Sequence, residues 1–300
     1  MLITWFSDAG FTVSRGLGKA SFYPPELEKL YSEAELARIA LRVALEKLSY
    51  AVEADVAIAG AGPAGLTLAW LLAEQGLRVT LVEHRLSTGG GMKGGSMLFP
   101  VALVEEGLAA VVLEKAGVRL RRVGEGLYAM DPTEATAKLT ARAVDAGAIV
   151  LPGLHVEDLI VRGSGSGVRV AGLVVNWAPV VEAGWHVDPL YIEARAVVDA
   201  TGHDAQLARL LEKRLPGSLR VPGMSSLDVW TGERQVVERT GEVFPGLYVA
   251  GMSVAEVYNL RRMGPVFGGM IASAAKLAEI LAEKLAGRRI GIAAEVAGGG

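Results

Sequence analysis

The sequence predicts an α/β protein with a Rossmann-like fold of the FAD/NAD(P)-binding type and an inserted β-rich region. Three observations support this prediction. An apolar run ends in the glycine-rich text GAGPAG at residues 60–65, an apolar helical pattern follows directly, and a second apolar run closes on Glu83. Strand, glycine turn, helix and strand in this order are typical of a dinucleotide-binding unit.

Length and composition are consistent with one large domain. The chain has 300 residues, 51% of them hydrophobic, with 38 glycines, which is enough for one sizeable core. We expect a domain over residues 32–287, with the β-rich insertion at about 150–195. Residues 1–31 are predicted to form an N-terminal arm and residues 288–300 a mobile tail, because neither has a clear period.

Charge and cysteine content exclude several classes of function. The formal net charge is −3 and no residue is cysteine, so there is no excess of positive charge for a nucleic-acid backbone, and no disulfide or thiolate site can form. The apolar run Val56–Ala73 is interrupted by the glycines of the turn, and the N-terminus has no continuous apolar core. We therefore expect a cytoplasmic protein with no membrane and no nucleic-acid partner.

The remaining elements follow from local patterns. Ser32 and Glu35 form a capping-box pattern ahead of a helix that reaches about Leu48. The text GSGSG within residues 148–181 predicts a hairpin turn between strands. Further segments are predicted as strands (55–62, 78–84, 195–202, 247–252), helices (63–76, 101–116, 132–147, 264–287) and a glycine-rich loop (87–100).

The glycine turn has the spacing of a phosphate-binding site. Gly60 permits the tight turn, Gly62 lets a pyrophosphate approach the backbone, and Gly65 lets the helix pack closely on its strand. The N–H groups that begin the helix can then bind the anion. Glu83 follows Gly65 by 18 residues and is placed to accept hydrogen bonds from both hydroxyls of an adenosine ribose.

NAD is favoured over FAD at this site. In many flavoproteins of this fold a late strand ends in Ala-Gly-Asp, whose carboxylate binds the ribityl chain. Met252 stands at that place here, and a thioether is a poor replacement for a carboxylate acceptor.

A second pattern combines histidine with aspartate. Asp188 in HVDP and His203 in TGHD lie 15 residues apart, with an extended apolar segment between them. The two side chains could join through a long fold-back or across a subunit interface, and two N/O ligands leave positions open on a divalent ion such as iron. Alternatively, the histidine caps a turn and the aspartate forms an Asx-turn ahead of Pro189.

Two further groups of residues are candidates. Arg262 precedes a Met-Gly-Pro turn before the last helix and could hold a carboxylate through two hydrogen bonds. His84 could contact the adenosine or be a solvated turn residue, and His155 is more typical of a strand surface.

Taken in order, these motifs resemble the thiamine thiazole synthase family, whose archaeal form is also labelled ribose-1,5-bisphosphate or ribulose-1,5-bisphosphate synthetase. The resemblance runs from about residue 32 to residue 285. It is carried by residues 55–84, by GGGMKGGSMLF, VAGLVVNW, HVDP, ATGHDA and GLYVAGM, and by RRMGPVFGGM. GxGxxG alone is weak, whereas the HVDP, TGHD and RMGP-FG set in sequence is specific.

The resemblance implies an enzyme that consumes NAD. Such enzymes release nicotinamide, condense the ADP-ribose part with glycine, add sulfur and close an ADP-linked thiazole carboxylate, ADP-5-ethyl-4-methylthiazole-2-carboxylate. It implies that Arg262 holds the glycine carboxylate, that Fe(II) binds Asp188 and His203, and that Asp188 comes from the neighbouring subunit of a homo-oligomer, an octamer in this family. His186, Asp188 and His203 are the implied catalytic residues. The implied dinucleotide contacts, taken with the glycines of the turn, are Gly60, Gly62, Ala64, Gly65, Glu83, His84, Gly91, Val156, His186, Val187, Asp188 and Met252.

The sulfur source follows from the missing cysteine. Eukaryotic relatives place a sacrificial cysteine where this chain has His186, and each such enzyme turns over once. A chain without cysteine has no such thiol to donate, so we expect it to use external sulfide. The alternatives are an FAD-dependent oxidoreductase of the same fold and a dinucleotide-binding regulator without chemistry.

Overall fold

The structure, a computed structural model, describes residues 27–291. Residues 1–26 of the predicted N-terminal arm (residues 1–31) lie outside the described residues. So do residues 292–300 of the predicted tail (residues 288–300). The helices are α1 (Leu27–Leu30), α2 (Glu33–Ala51), α3 (Pro63–Glu74), α4 (Leu108–Lys115), α5 (Pro132–Asp145), α6 (Ala178–Glu182), α7 (Gln206–Arg214), α8 (Val229–Arg239), α9 (Met252–Tyr258) and α10 (Gly268–Ala286). The strands are β1 (Glu53–Ala59), β2 (Val79–Glu83), β3 (Ala102–Glu105), β4 (Arg121–Gly124), β5 (Leu127–Met130), β6 (Ile149–Pro152), β7 (Leu154–Arg162), β8 (Arg169–Trp177), β9 (Leu190–Asp199), β10 (Gly241–Phe244) and β11 (Leu247–Val249).

A parallel sheet forms the centre of the domain. Its strands lie in the order β6, β2, β1, β9 and β11, with every neighbouring pair parallel. β10 joins the β11 edge antiparallel. The Rossmann-like α/β prediction is therefore confirmed.

The central strands are apolar on both sides, as expected in a parallel sheet whose crossover helices cover both faces. Val56, Ala57 and Ile58 of β1 are fully buried, which is typical of a strand covered by helices on both sides. On one face the apolar helices α3 and α10 pack together over the sheet, and their leucines and alanines form the largest core cluster.

The predicted β-rich region is continuous with this sheet. β7 and β8 form an antiparallel hairpin whose turn contains GSGSG, and β8 pairs with the first half of β9. The second half of β9 pairs with β11. The β7–β8 hairpin therefore extends the main sheet through the first half of β9.

One helix prediction is wrong in its first part. Residues 101–116 were expected to be helical, but Ala102–Glu105 form β3, and only Leu108–Lys115 are helical. β3 pairs with β5, and β5 with β4, in a separate three-stranded antiparallel sheet. The partner strand lies more than twenty residues along the chain, so its pairing overrides the local helical tendency.

Two predicted helix boundaries, the start of α2 and the end of α3, are found in the structure. Ser32 caps α2 through the complete capping box with Glu35, and Gly76 after α3 has a φ of +79°, a left-handed conformation that glycine adopts without strain. Among the helices that the structure describes, none is long and apolar enough to cross a membrane.

Candidate active site

A cavity of about 1140 Å³ opens at the carboxyl ends of the parallel strands. This is the edge where ligands bind in open α/β sheets. It is lined by residues that follow β1, β2, β9 and β11, by the start of β7 and by the turn before α10. The predicted site residues that line it are Gly60, Gly62, Ala64, Glu83, His84, Gly91, Val156, His203, Met252 and Arg262.

The glycine turn has the geometry predicted for phosphate binding. Gly60 has a φ of +98°, and a Cβ there would lie 2.4 Å from the Ala200 carbonyl oxygen. A Cβ on Gly65 would lie 1.9 Å from the Gly60 carbonyl oxygen, so α3 packs directly on the turn. A Cβ on Gly62 would meet nothing within 4 Å. Gly62 also caps α3 without a side-chain hydrogen bond, so an anion can approach the start of the helix.

Glu83 lies at the end of β2, buried beside the turn. Its two carboxylate oxygens accept hydrogen bonds from the N–H of Ala61 at 2.8 Å and from the N–H of Arg85 at 2.9 Å. Each oxygen keeps a second lone pair. The carboxylate is therefore fixed in orientation and can still accept hydroxyl groups from a ligand.

A chain of hydrogen bonds connects two histidines at the cavity. The Nδ1 atoms of His84 and His155 lie 3.2 Å apart, and Nε2 of His84 lies 3.3 Å from Glu182. Nε2 of Gln206 donates to the carbonyl oxygen of Val156 and lies 3.1 Å from Nε2 of His155. Burial, followed by the charge of His84, lowers the pKa of His155. A consistent assignment is that Gln206 donates to His155, His155 to His84, and His84 to Glu182. Sequence patterns did not indicate Gln206.

The loop that carries His203 is held by a fully buried carboxylate. Asp199 ends β9, and its side chain accepts five hydrogen bonds of 2.7 to 3.0 Å. The donors are the Thr201 N–H and hydroxyl, the Leu207 and Ala208 N–H groups and the Ser253 hydroxyl. This single side chain joins the end of β9 to the starts of α7 and α9, so the backbone around His203 is fixed.

Asp188 and His203 do not meet within one chain. Asp188 lies in the exposed loop ahead of β9, and His203 follows the end of the same strand. Ten residues of strand span about 33 Å at a rise of about 3.3 Å per residue. Asp188, His186 and Val187 do not line the cavity of their own chain. The fold-back alternative is therefore not the structure of the chain, and the shared-subunit arrangement stays a prediction.

Within one chain, His203 supplies only one of the ligands that a first-row divalent ion needs. An imidazole nitrogen and a carboxylate oxygen are a ligand set that Fe(II) accepts. Within residues 27–291, no three His, Asp or Glu side chains converge on one metal position. The residues fit iron if Asp188 is supplied by a second copy.

Arg262 belongs to a segment of the cavity wall, residues 261–269, that leads into α10. Its backbone forms a bridge with Leu227, and in the part of the chain that the structure describes no group accepts a hydrogen bond from its guanidinium. Arg261, in contrast, donates to the Ser226 hydroxyl. Arg262 is therefore the arginine of the pair that is available for an anionic ligand.

Met252 begins α9 at the end of β11 and lines the cavity, nearly buried. The preceding Gly251 has a φ of +66°, and a Cβ on it would lie 2.8 Å from the Ala64 Cβ. The turn after β11 thus touches the phosphate-binding turn. Ser96, which donates to the Pro265 carbonyl oxygen, also lines the cavity and was not predicted.

Comparison with known proteins gives a consistent result. A family model described as the Thi4 family matches residues 37–267. A thiamine thiazole synthase of Pyrobaculum calidifontis is 48% identical over 255 residues, which is 85% of this chain and 97% of the relative. One of Sulfolobus acidocaldarius is 46% identical over 86% of this chain and 96% of the relative. The crystal structure of Thermovibrio ammonificans THI4 superposes with a TM-score of 0.83 at 42% identity, covering 85% of this chain and 99% of that one.

Proposed function

This chain belongs to the Thi4 family, and we propose that it is a thiamine thiazole synthase that forms the ADP-linked thiazole carboxylate from NAD, glycine and external sulfide with release of nicotinamide. The observation that carries the proposal is the cavity itself. It joins a phosphate-binding turn, a ribose-binding carboxylate and an unpaired arginine at one edge of the sheet. An adenine dinucleotide and a small carboxylate substrate are the ligands that this combination suits.

In this proposal, different residues of the chain bind different parts of the two substrates. The start of α3 receives the pyrophosphate, and Glu83 fixes the ribose hydroxyls. Arg262 holds the glycine carboxylate, which orients the amine toward the sugar part of the dinucleotide. Bringing the two substrates together in this way replaces a bimolecular encounter with a positioned one.

In this proposal His203 of one copy and Asp188 of another would hold an iron ion. Such an ion would supply an open coordination position and a positive charge for an anionic sulfur species. The 33 Å estimate for β9 supports a shared site, because one chain presents each ligand at a different end of its strand. The proposed assembly is a homo-octamer in which neighbouring chains complete each other's sites.

External sulfide follows from the composition. The chain has no cysteine, so no cysteine thiol can be consumed in the reaction. The enzyme is therefore expected to turn over many times. A relative that consumes its own cysteine is expected to stop after one turnover.

The test is an anaerobic reconstitution. Purified protein is incubated with NAD, glycine, sulfide and Fe(II), and the small molecules are identified by mass spectrometry after denaturation. We expect an ADP-thiazole carboxylate in molar excess over protein, and none when glycine or sulfide is omitted. A variant with Arg262→Ala serves as the matched control, because it removes the glycine contact and leaves the phosphate turn intact.

Two results would contradict the proposal. Bound FAD together with no thiazole adduct would support the alternative of a flavin-dependent oxidoreductase. Protein that binds NAD but releases no nicotinamide with the full mixture is a dinucleotide-binding regulator.

A further inference from the structure

Two carboxyl groups, that of buried Glu233 and that of half-buried Glu105, lie together behind the cavity wall. Glu105 ends β3 and Glu233 lies in the first half of α8. The Gly269 N–H, in the first turn of α10, donates to Oε2 of Glu233. The Glu105 carboxyl rests so closely on Gly268 that a Cβ there would lie 2.0 Å from it. The two acids thus meet at the start of one helix.

The pair contains two buried oxygens without a partner. Oε2 of Glu105 and Oε1 of Glu233 have no hydrogen-bond partner among the described residues, and Glu233 is only 5% exposed. Two ionised carboxylates offer only acceptors, so neither oxygen can satisfy the other. One proton on Oε1 of Glu233 makes that atom a donor to Glu105, and both unsatisfied oxygens then have a partner.

A proton fits this position better than a metal ion. The described residues offer no third carboxylate or imidazole that a metal ion would need, and the positive end of the α10 dipole suits the one negative charge that a singly protonated pair keeps. Four nearby charged groups have other partners, whereas Arg262 of the adjoining wall segment has no partner within residues 27–291 and lines the cavity. On α8, Arg234 pairs with Glu238; on α10, Lys276 donates to backbone carbonyls of α8; next to β3, Glu106 accepts from Tyr128.

The pair is packed directly against the wall segment that carries Arg262. A Cβ on Gly232, next to Glu233, would lie 2.6 Å from the Arg261 carbonyl oxygen. On the other side, the Phe267 N–H donates to the Leu103 carbonyl oxygen at 2.9 Å. Residues 261–269 are therefore clamped between α8 and β3, and the pair lies where these two elements and α10 meet.

We propose that Glu105 and Glu233 share one proton, and that this acid–carboxylate pair is a positioning device that holds the wall segment, and with it Arg262, against α8 and β3. The part that concerns Arg262 rests on the proposed function. The proton-sharing part stands on the structure of the chain alone. Neither residue lines the cavity, so both act through the wall and touch no substrate.

The titration behaviour of the two acids agrees with this arrangement. Burial, with the charge of Glu105, raises the pKa of Glu233 to about 8, and burial raises the pKa of Glu105. A raised carboxyl pKa stabilises the fold fully below the unfolded value near 4.5. The stability that the protonated Glu233 contributes is therefore lost as pH rises from about 4.5 to about 8, because the pair then takes up a second negative charge.

Glu233→Gln tests the proposal because the amide resembles the protonated acid. Its oxygen can accept from Gly269 and its NH₂ group can donate to Glu105. Glu105→Gln is the second variant, because it removes the negative charge of Glu105 and should lower the pKa of Glu233, although Glu233 stays buried. Glu238→Gln, on an exposed acid of the same helix, is the matched control.

Two measurements on the protein without substrate decide the first part. Infrared difference spectra at about pH 7, taken against Glu233→Gln, should show a protonated carboxyl band in wild type and in Glu238→Gln, and a weaker band in Glu105→Gln. Denaturant titrations from about pH 5 to about pH 9 should show that wild type loses stability with rising pH relative to Glu233→Gln. No difference band at pH 7, together with parallel stability profiles, would overturn proton sharing.

The KM for glycine decides the positioning part. The ratio of the wild-type KM to that of Glu233→Gln is expected to be near one at about pH 6.5 and to rise several-fold by about pH 9, with kcat changing less. Taking the ratio cancels the titration of glycine itself. A flat ratio would overturn the positioning role. Absence of thiazole formation in every variant, with the infrared band present, would refute the proposed function and leave the proton-sharing pair standing.

Discussion

If two chains share each iron site, two inactive variants should restore activity when they assemble together. Asp188→Ala removes the carboxylate from every site of its own assembly, and His203→Ala removes the imidazole from every site of its own. Each variant alone is therefore expected to lack iron and thiazole formation. The fold gives the reason, because the two residues flank opposite ends of β9, a strand about 33 Å long.

The expected recovery follows from counting combinations. With equal amounts of the two chains mixed at random, a site takes its imidazole from either variant and its carboxylate from either variant. About one site in four receives both intact ligands, so iron content and thiazole formation should recover to roughly a quarter of wild type. The chains are co-expressed with different tags and purified through both, and iron and thiazole product are measured on the same sample.

The control is a doubly substituted chain, Asp188→Ala with His203→Ala, co-expressed with wild type. It should also give about a quarter of the sites, because the intact ligands then come only from wild-type neighbours. Co-assembled single variants with no more iron than either parent would refute the shared site. Substantial iron in Asp188→Ala alone would refute the role of the aspartate.

Four further outcomes are expected. Glu83→Gln should raise the Kd for NAD about tenfold or more by calorimetry, because the amide cannot accept from two backbone N–H groups and two ribose hydroxyls together. Asp199→Asn should lower the free energy of unfolding by about 3 kcal/mol in a urea titration, since an NH₂ group then faces buried donors. Arg262→Lys should raise the KM for glycine about tenfold and leave NAD affinity unchanged, because lysine cannot form the paired contact with a carboxylate. The raised pKa of Glu233 should make wild type lose stability relative to Glu233→Gln as pH rises from about 4.5 to about 8, with no further relative loss above it, measured by denaturant titration.

The parts of the fold that depend on short-range chemistry could be predicted from the sequence. The capping box of α2, the phosphate turn and the hairpin at GSGSG each lie within a few residues, and each forms as predicted. The strand Ala102–Glu105 was missed because its apolar and acidic residues also suit a helix. Only its pairing with β5, distant in sequence, decides its conformation.

The same distinction applies to the site. Gly60, Glu83 and Arg262 lie in recognisable motifs, and the structure brings all three to one cavity. The Glu105–Glu233 pair has no such motif, since its members lie 128 residues apart and meet only after three elements have packed. A buried acid pair of this kind is visible only in three dimensions.

The five hydrogen bonds to Asp199 give the two halves of the proposed iron site different degrees of freedom. The backbone around His203 is already ordered, so it loses little entropy when an ion binds. The loop that carries Asp188 is exposed and held at Val187 by one hydrogen bond from Asn176, and it would have to dock against another copy. The strength of ion binding should therefore depend more on the stiffness of that loop than on the imidazole, and changes that restrict its backbone are a route to tighter iron retention.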